Sequence, residues 1–123
     1  MFPAVDPVKY LEFAHEISSR PETEAKRTAA DRAYYAAFLF SRDQLASKGY
    51  ITPYYKEEDK RYVSQELKRL KFSIGNSENL LRRRRTTITY DTRDVEGPSL
   101  NWMLQTAEKI IDYVKALPDS SVS

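Results

Sequence analysis

Residues 21–48 read Pro-Glu-Thr-Glu-Ala-Lys-Arg-Thr-Ala-Ala-Asp-Arg-Ala-Tyr-Tyr-Ala-Ala-Phe-Leu-Phe-Ser-Arg-Asp-Gln-Leu-Ala-Ser-Lys, with no glycine or proline after Pro21. The stretch decides the fold. Ala29, Ala30, Ala33, Ala36 and Ala37 allow a neighbouring backbone to come close, and Tyr34, Tyr35, Phe38 and Leu45 form a bulky stripe beside them. That spacing predicts one long helix of about 40 Å at 1.5 Å per residue. Glu22 and Glu24 favour its positive end. Gly49 stands where a left-handed residue closes a helix, and Tyr50-Ile51-Thr52-Pro53 reads as a loop.

Upstream, Asp6-Pro7 reads as an N-cap followed by proline at the first helical position, which opens a helix to about Ser19 with Val8, Leu11, Ala14 and Ile17 inward. Arg20-Pro21 breaks it. Downstream, a third helix is predicted from about Tyr55 to Ser73, with Val63, Leu67 and Leu70 inward. Gly75 then interrupts, and Asn76 or Ser77 caps a further short helix towards Arg85. Thr86-Thr87-Ile88-Thr89-Tyr90 is β-branched but has no pairing partner, so it reads as a fraying helix end or an extended loop. Gly97-Pro98-Ser99 opens the last helix, from about Ser99 to Leu117, with Leu100, Leu104, Ala107, Ile111 and Val114 on one face. The expected fold is all-α: an antiparallel up-down four-helix bundle with a short extra helix before the last long helix. Residues 1–123 form one domain, with a tail from about residue 118.

Composition excludes several chemistries. Without cysteine there is no disulfide, thiol nucleophile or thiolate metal site. One histidine, His15, leaves a zinc site short of ligands, and it reads as a surface residue of the first helix. Neither a GxGxxG nor a GxxxxGK phosphate loop is present. No apolar run reaches ~18 residues and no signal peptide is visible, so a cytoplasmic protein with no membrane contact and no cofactor is expected.

Charge is uneven. Residues 1–59 carry 8 basic and 10 acidic side chains, residues 60–93 carry 10 and 3, and residues 94–123 carry 2 and 5. The middle block centres on Arg82, Arg83, Arg84 and Arg85, and a net +7 there suits phosphate, which arginine grips in a bidentate fork. Successive helical residues diverge by 100°, so Arg82 and Arg85 share a face while Arg83 and Arg84 point more to solvent. Asp31 and Arg32 diverge likewise and each should pair with another element. Asp91 and Asp94 could neutralise Arg84, Arg85 or Arg93, and Trp102 reads as rim packing.

Two motifs carry a resemblance. Asp31-Arg32-Ala33-Tyr34-Tyr35-Ala36-Ala37-Phe38 resembles the "RAYYAAFH" signature of small prokaryotic HEPN proteins, the higher-eukaryote and prokaryote nucleotide-binding family. Arg85-Thr86-Thr87-Ile88-Thr89-Tyr90-Asp91 resembles the "RNxADYD" segment before that family's last long helix. The resemblance covers nearly the whole chain and implies an up-down bundle that pairs as a homodimer, with the long helix or the Arg85–Tyr90 segment near the interface. Many such proteins are metal-independent ribonucleases with an Arg-x4–6-His site. Here Arg85 matches the arginine, Tyr90 stands in the place of the histidine, and Leu39 stands in the place of the histidine that often follows the first motif.

That departure has a size. An unperturbed tyrosine titrates near 10, so only about one in a thousand is phenolate at pH 7. General acid–base catalysis contributes ~10²–10⁴-fold, and its loss should nearly silence a metal-free nuclease. The expected function is therefore a HEPN-like module without robust catalysis. It would bind nucleotide or RNA phosphate through Arg82, Arg85, Asp31, Arg32 and Tyr35, or partner a minimal nucleotidyltransferase of the kind that often accompanies the family. The alternatives are a weak ribonuclease with Arg85 and Tyr90 as catalytic residues of a composite dimer site, and a purely structural helical dimer. A tyrosine modified by such a partner would stand two positions beyond the motif histidine, where this chain has Thr92.

Overall fold

The computed structural model describes residues 6–90 and 97–120. The roles expected of Asp91, Thr92 and Asp94, and the side chain of Tyr90, lie outside the described residues. Five helices are present: α1 (Pro7–Ser18), α2 (Thr23–Ser47), α3 (Asp59–Leu70), α4 (Phe72–Tyr90) and α5 (Gly97–Lys115). The protein is all-helical, and there is no strand among the described residues.

The local signals act where the sequence placed them. The Asp6 carboxylate accepts from the Val8 N–H at 3.0 Å with Pro7 at the first position, so α1 starts there. At the end of α2, the Gly49 N–H donates to the Ala46 carbonyl at 3.1 Å and the Tyr50 N–H to the Leu45 carbonyl at 2.8 Å. This is a Schellman motif, and it needs the φ of +85° that Gly49 adopts. Gly49→Ala is expected to cost about 1 kcal/mol, because alanine resists that angle. Urea unfolding would read it, and an unchanged midpoint would count against a tight helix end.

The packing pairs give the topology. Arg32 on α2 lies over Tyr10 on α1, Asp31 on α2 meets Arg85 on α4, and Arg84 on α4 meets Ser99 on α5. The Lys48 ammonium donates to the carbonyls of Val114 and Lys115, so α5 runs parallel to α2. Helices α1, α2, α4 and α5 therefore alternate in direction as an up-down bundle. The extra helix is α3, whose 12 residues run parallel to α2 after the chain doubles back through residues 48–58.

This exchanges two expected lengths. The segment expected as a short helix is a full bundle element of 19 residues. Gly75 does not interrupt it. The break falls at Lys71, whose φ of −155° and ψ of 108° are extended. The threonine run is helical, and within it Thr86, Thr87 and Thr89 donate to the carbonyls of Arg82, Arg83 and Arg85 at 2.9–3.0 Å. Those bonds satisfy hydroxyls that would otherwise compete with the helix.

The core runs through α2: Ala29, Ala30, Ala33, Tyr34, Ala36, Ala37 and Leu45 are all fully buried. Most apolar positions along α2 are thus covered within one chain, with Leu39 and Phe40 partly exposed, although the helix is twice as long as α1. The tail starts later than expected, since the Ser120 N–H donates to the Lys48 carbonyl at 2.8 Å and the Tyr50 hydroxyl to the Pro118 carbonyl at 2.7 Å.

Candidate phosphate site at the crossing of α2, α3 and α4

Tyr35 occupies the middle of α2 and is half-buried. The alternation of directions brings two cations to its ring. From α4, the Arg85 guanidinium lies 5.1 Å from the ring centre; from α3, the Lys60 ammonium lies 5.3 Å away. Lys60 also donates to the Tyr35 hydroxyl at 3.3 Å and to the Glu57 carboxylate at 2.7 Å. One helical turn from Tyr35, Asp31 accepts from Arg85 Nε at 2.8 Å. Only Nε of Arg85 is engaged among the described residues, which leaves its two terminal nitrogens for a bidentate acceptor. Partial burial opposes the charge on Arg85, but the Asp31 bond and Tyr35 outweigh it and keep the guanidinium firmly protonated. Burial also opposes the charge on Lys60, and its bonds to Glu57 and Tyr35 likewise raise its pKa on balance.

The site residues expected from sequence divide accordingly. Arg85, Asp31 and Tyr35 come together. Arg32 does not: it turns to α1, 4.8 Å from the centre of the Tyr10 ring. Arg82 shares the Arg85 side of α4 but donates to Asn79 at 2.9 Å and influences Glu78 and Tyr34. The divergence of Asp31 from Arg32 is as the 100° rule requires. Arg83 is exposed, whereas Arg84 is half-buried and its Nε donates to Ser99 on α5 at 2.5 Å. Arg84 was expected at the solvent face, and α5 lies there instead. His15 is on the surface and bonds Glu108 at 2.5 Å.

Beneath this surface lies a buried polar pair. Tyr34 meets Tyr35 edge to face at 5.1 Å between centres, and its hydroxyl has no hydrogen-bond partner. Burial chiefly, and then Glu78, push its pKa further above the ordinary phenol range. Glu78 is fully buried, and neither carboxylate oxygen makes a hydrogen bond. Desolvation pushes it up to about 7, against the pull of Arg82, the Ser64 hydroxyl and Lys68.

Sequence reasoning missed Lys60, Glu57 and the loop beside them. Asp59, 1% exposed, accepts from the Tyr54 N–H at 2.9 Å and the Tyr55 N–H at 2.7 Å. This carboxylate holds Tyr55 at a φ of +58°, which costs a non-glycine residue about 1–2 kcal/mol. No local period signals these residues, because what they meet lies on another helix.

Among the described residues no group of three or more His, Asp or Glu side chains is placed to hold a metal. Among the described residues no helix is long and apolar enough to cross a membrane. Comparison with protein-family models, with curated proteins and with solved structures returns no match.

Proposed function

We propose that the chain is a HEPN-like helical module that binds nucleotide or RNA phosphate at Arg85 and lacks robust catalysis. The observation that carries this reading is the convergence of Arg85 and Lys60 on one tyrosine ring, with both terminal nitrogens of Arg85 uncommitted among the described residues. Asp31 and Glu57 each neutralise one of these cations through a single bond, and the side of the guanidinium fork that Asp31 leaves open matches phosphate oxygens. The phenol beneath them supports a binding role. Burial holds Tyr34 protonated, so it supplies no base at neutral pH. The sequence motifs extend the proposal to a homodimer and to a minimal nucleotidyltransferase as partner.

Arg85→Ala is expected to weaken binding of a mononucleotide or short RNA by about 1.5–3 kcal/mol, the range for a charged hydrogen bond. Arg83→Ala should cost less, and salt should erase its effect, because Arg83 is exposed. Titrations of both variants at two salt concentrations separate the cases. Equal losses, both erased by salt, would mean a diffuse basic surface. No binding by the wild-type protein would remove the phosphate reading.

A further inference from the structure

Next to the Arg85 site the chain displays three exposed tyrosines. Tyr54 is 62% exposed, Tyr55 68% and Tyr62 44%. Rings of this size are normally buried, and these are held out by construction. Buried Asp59 grips the backbone of Tyr54 and Tyr55 with both carboxylate oxygens and keeps Tyr55 in its left-handed conformation. The Tyr54 and Tyr62 rings lie 5.7 Å apart, tilted by 48°. Grooves of about 400 and 240 Å³ flank that pair on either side.

The platform is continuous with the Arg85 site. Lys60, which touches Tyr35, follows Asp59 in the chain. Arg42 stands seven residues after Tyr35 on the same side of α2, about 10 Å along it, and its guanidinium lies 4.8 Å from the Tyr55 ring centre. The cations Arg85, Lys60 and Arg42 thus gather around Tyr35 and Tyr55, and the exposed Tyr54–Tyr62 pair lies beyond them. Arg42 and Lys60 each bond a carboxylate, Asp43 and Glu57, whose side chains are 46% and 82% exposed. The cations themselves are 18% and 16% exposed, so a phosphate meets each of them at its exposed edge.

We propose that this face is a track for single-stranded nucleic acid, in which Arg85, Lys60 and Arg42 meet successive phosphates and Tyr54, Tyr55 and Tyr62 stack unpaired bases. Positive charge beside exposed rings is the chemistry that single strands select, since every base has a face to stack and only an unpaired one can offer it. A duplex keeps its bases inside and cannot use the rings. The inference rests on the phosphate reading at Arg85 and adds the base subsite.

The test is fluorescence anisotropy with a labelled eight-residue thymidine strand and an abasic strand of equal length, which keeps the phosphates and lacks the bases. The wild-type protein should bind the thymidine strand at least about tenfold more tightly, the gain from one stacked base. Tyr54→Ala with Tyr62→Ala should remove most of that preference, leaving what Tyr55 supplies, with little change in abasic binding. Tyr54→Phe with Tyr62→Phe should keep the preference, because the rings remain. Arg85→Ala should weaken both strands. An eight-residue uridine strand that keeps the same preference over the abasic strand supports the track for RNA as well. Equal wild-type affinity for the thymidine and abasic strands overturns the base platform while the phosphate reading stands. Binding of neither strand overturns both. A duplex bound as tightly as the single strand, or displacement of the single strand by decaproline with no nucleobase preference, overturns the track.

Discussion

Between about pH 4.5 and pH 7 the folded protein is expected to lose roughly 3 kcal/mol of stability through one side chain, Glu78. Its carboxyl is buried among α2, α3 and α4 and is pushed from 4.5 up to about 7. The unfolded chain releases this proton near 4.5 while the folded protein still holds it. In that interval the unfolded state binds fewer protons, so stability falls as pH rises. About 2.5 pH units at 1.36 kcal/mol each set the size. Full stability from this group is present below the unfolded value, and the loss is complete once pH passes the folded one. The groups facing Glu78 are Tyr34 from α2, Ser64 and Lys68 from α3, and Arg82 from its own helix. The three polar partners pull its pKa down, and desolvation outweighs them. Glu78→Gln should flatten the dependence, so the variant gains on the wild type as pH rises from 5 to 8. Urea unfolding at several pH values measures it. Parallel pH profiles for the two proteins would mean that water reaches the carboxyl.

Gly75→Ala is expected to destabilise the fold by ~3 kcal/mol, although alanine is the better helix former by about 1 kcal/mol. A β-carbon there would stand 2.4 Å from the Lys68 backbone nitrogen and 2.6 Å from its α-carbon. The obstacle is backbone, which no rotamer change moves aside. One extended residue, Lys71, joins α3 to α4, so the two helices meet at a corner with no slack. Relief would require opening the hairpin that carries Lys60 and Arg85 to Tyr35, and phosphate binding should weaken along with stability. Asn76→Ala, one position on and exposed, is the control. It should be neutral or slightly stabilising by propensity alone. A Gly75 variant as stable as that control would show that the corner relaxes freely.

Glycine illustrates why some features were legible and others were not. Gly49 was read correctly because its role is local: it ends a helix by adopting a positive φ, and the residues before it announce that helix. Gly75 was read as an interruption because its actual partner, Lys68, lies across a corner. Glu78 gives no warning in the sequence either. A glutamate four residues before an arginine has the spacing of an exposed ion pair, and only the arrival of α2 and α3 over that face buries it.

The site divides in the same way. Arg85, Asp31 and Tyr35 were singled out from two motifs, and the structure brings these three together across 54 residues of chain. Arg32 and Arg84 were misassigned because helix periodicity tells which residues share a face but not what covers that face. Lys60 and Asp59 belong to no motif. Their positions follow from residues 48–58, which carry the chain back along α2 before α3 begins.

The sequence by itself determined that this protein is helical, where α1 begins, where α2 ends, and much of the apolar core, although Val8, expected inward, is 40% exposed. Capping, proline placement and a 3.6-residue period act within a turn or two, so the local chain carries them. Tertiary structure decided which of the two middle helices is long, what Gly75 is for, that Glu78 is buried, and which cations meet at Tyr35. Each of those depends on the direction and distance of a different helix, and the burial and electrostatic energies that decide them exist only once the helices have packed.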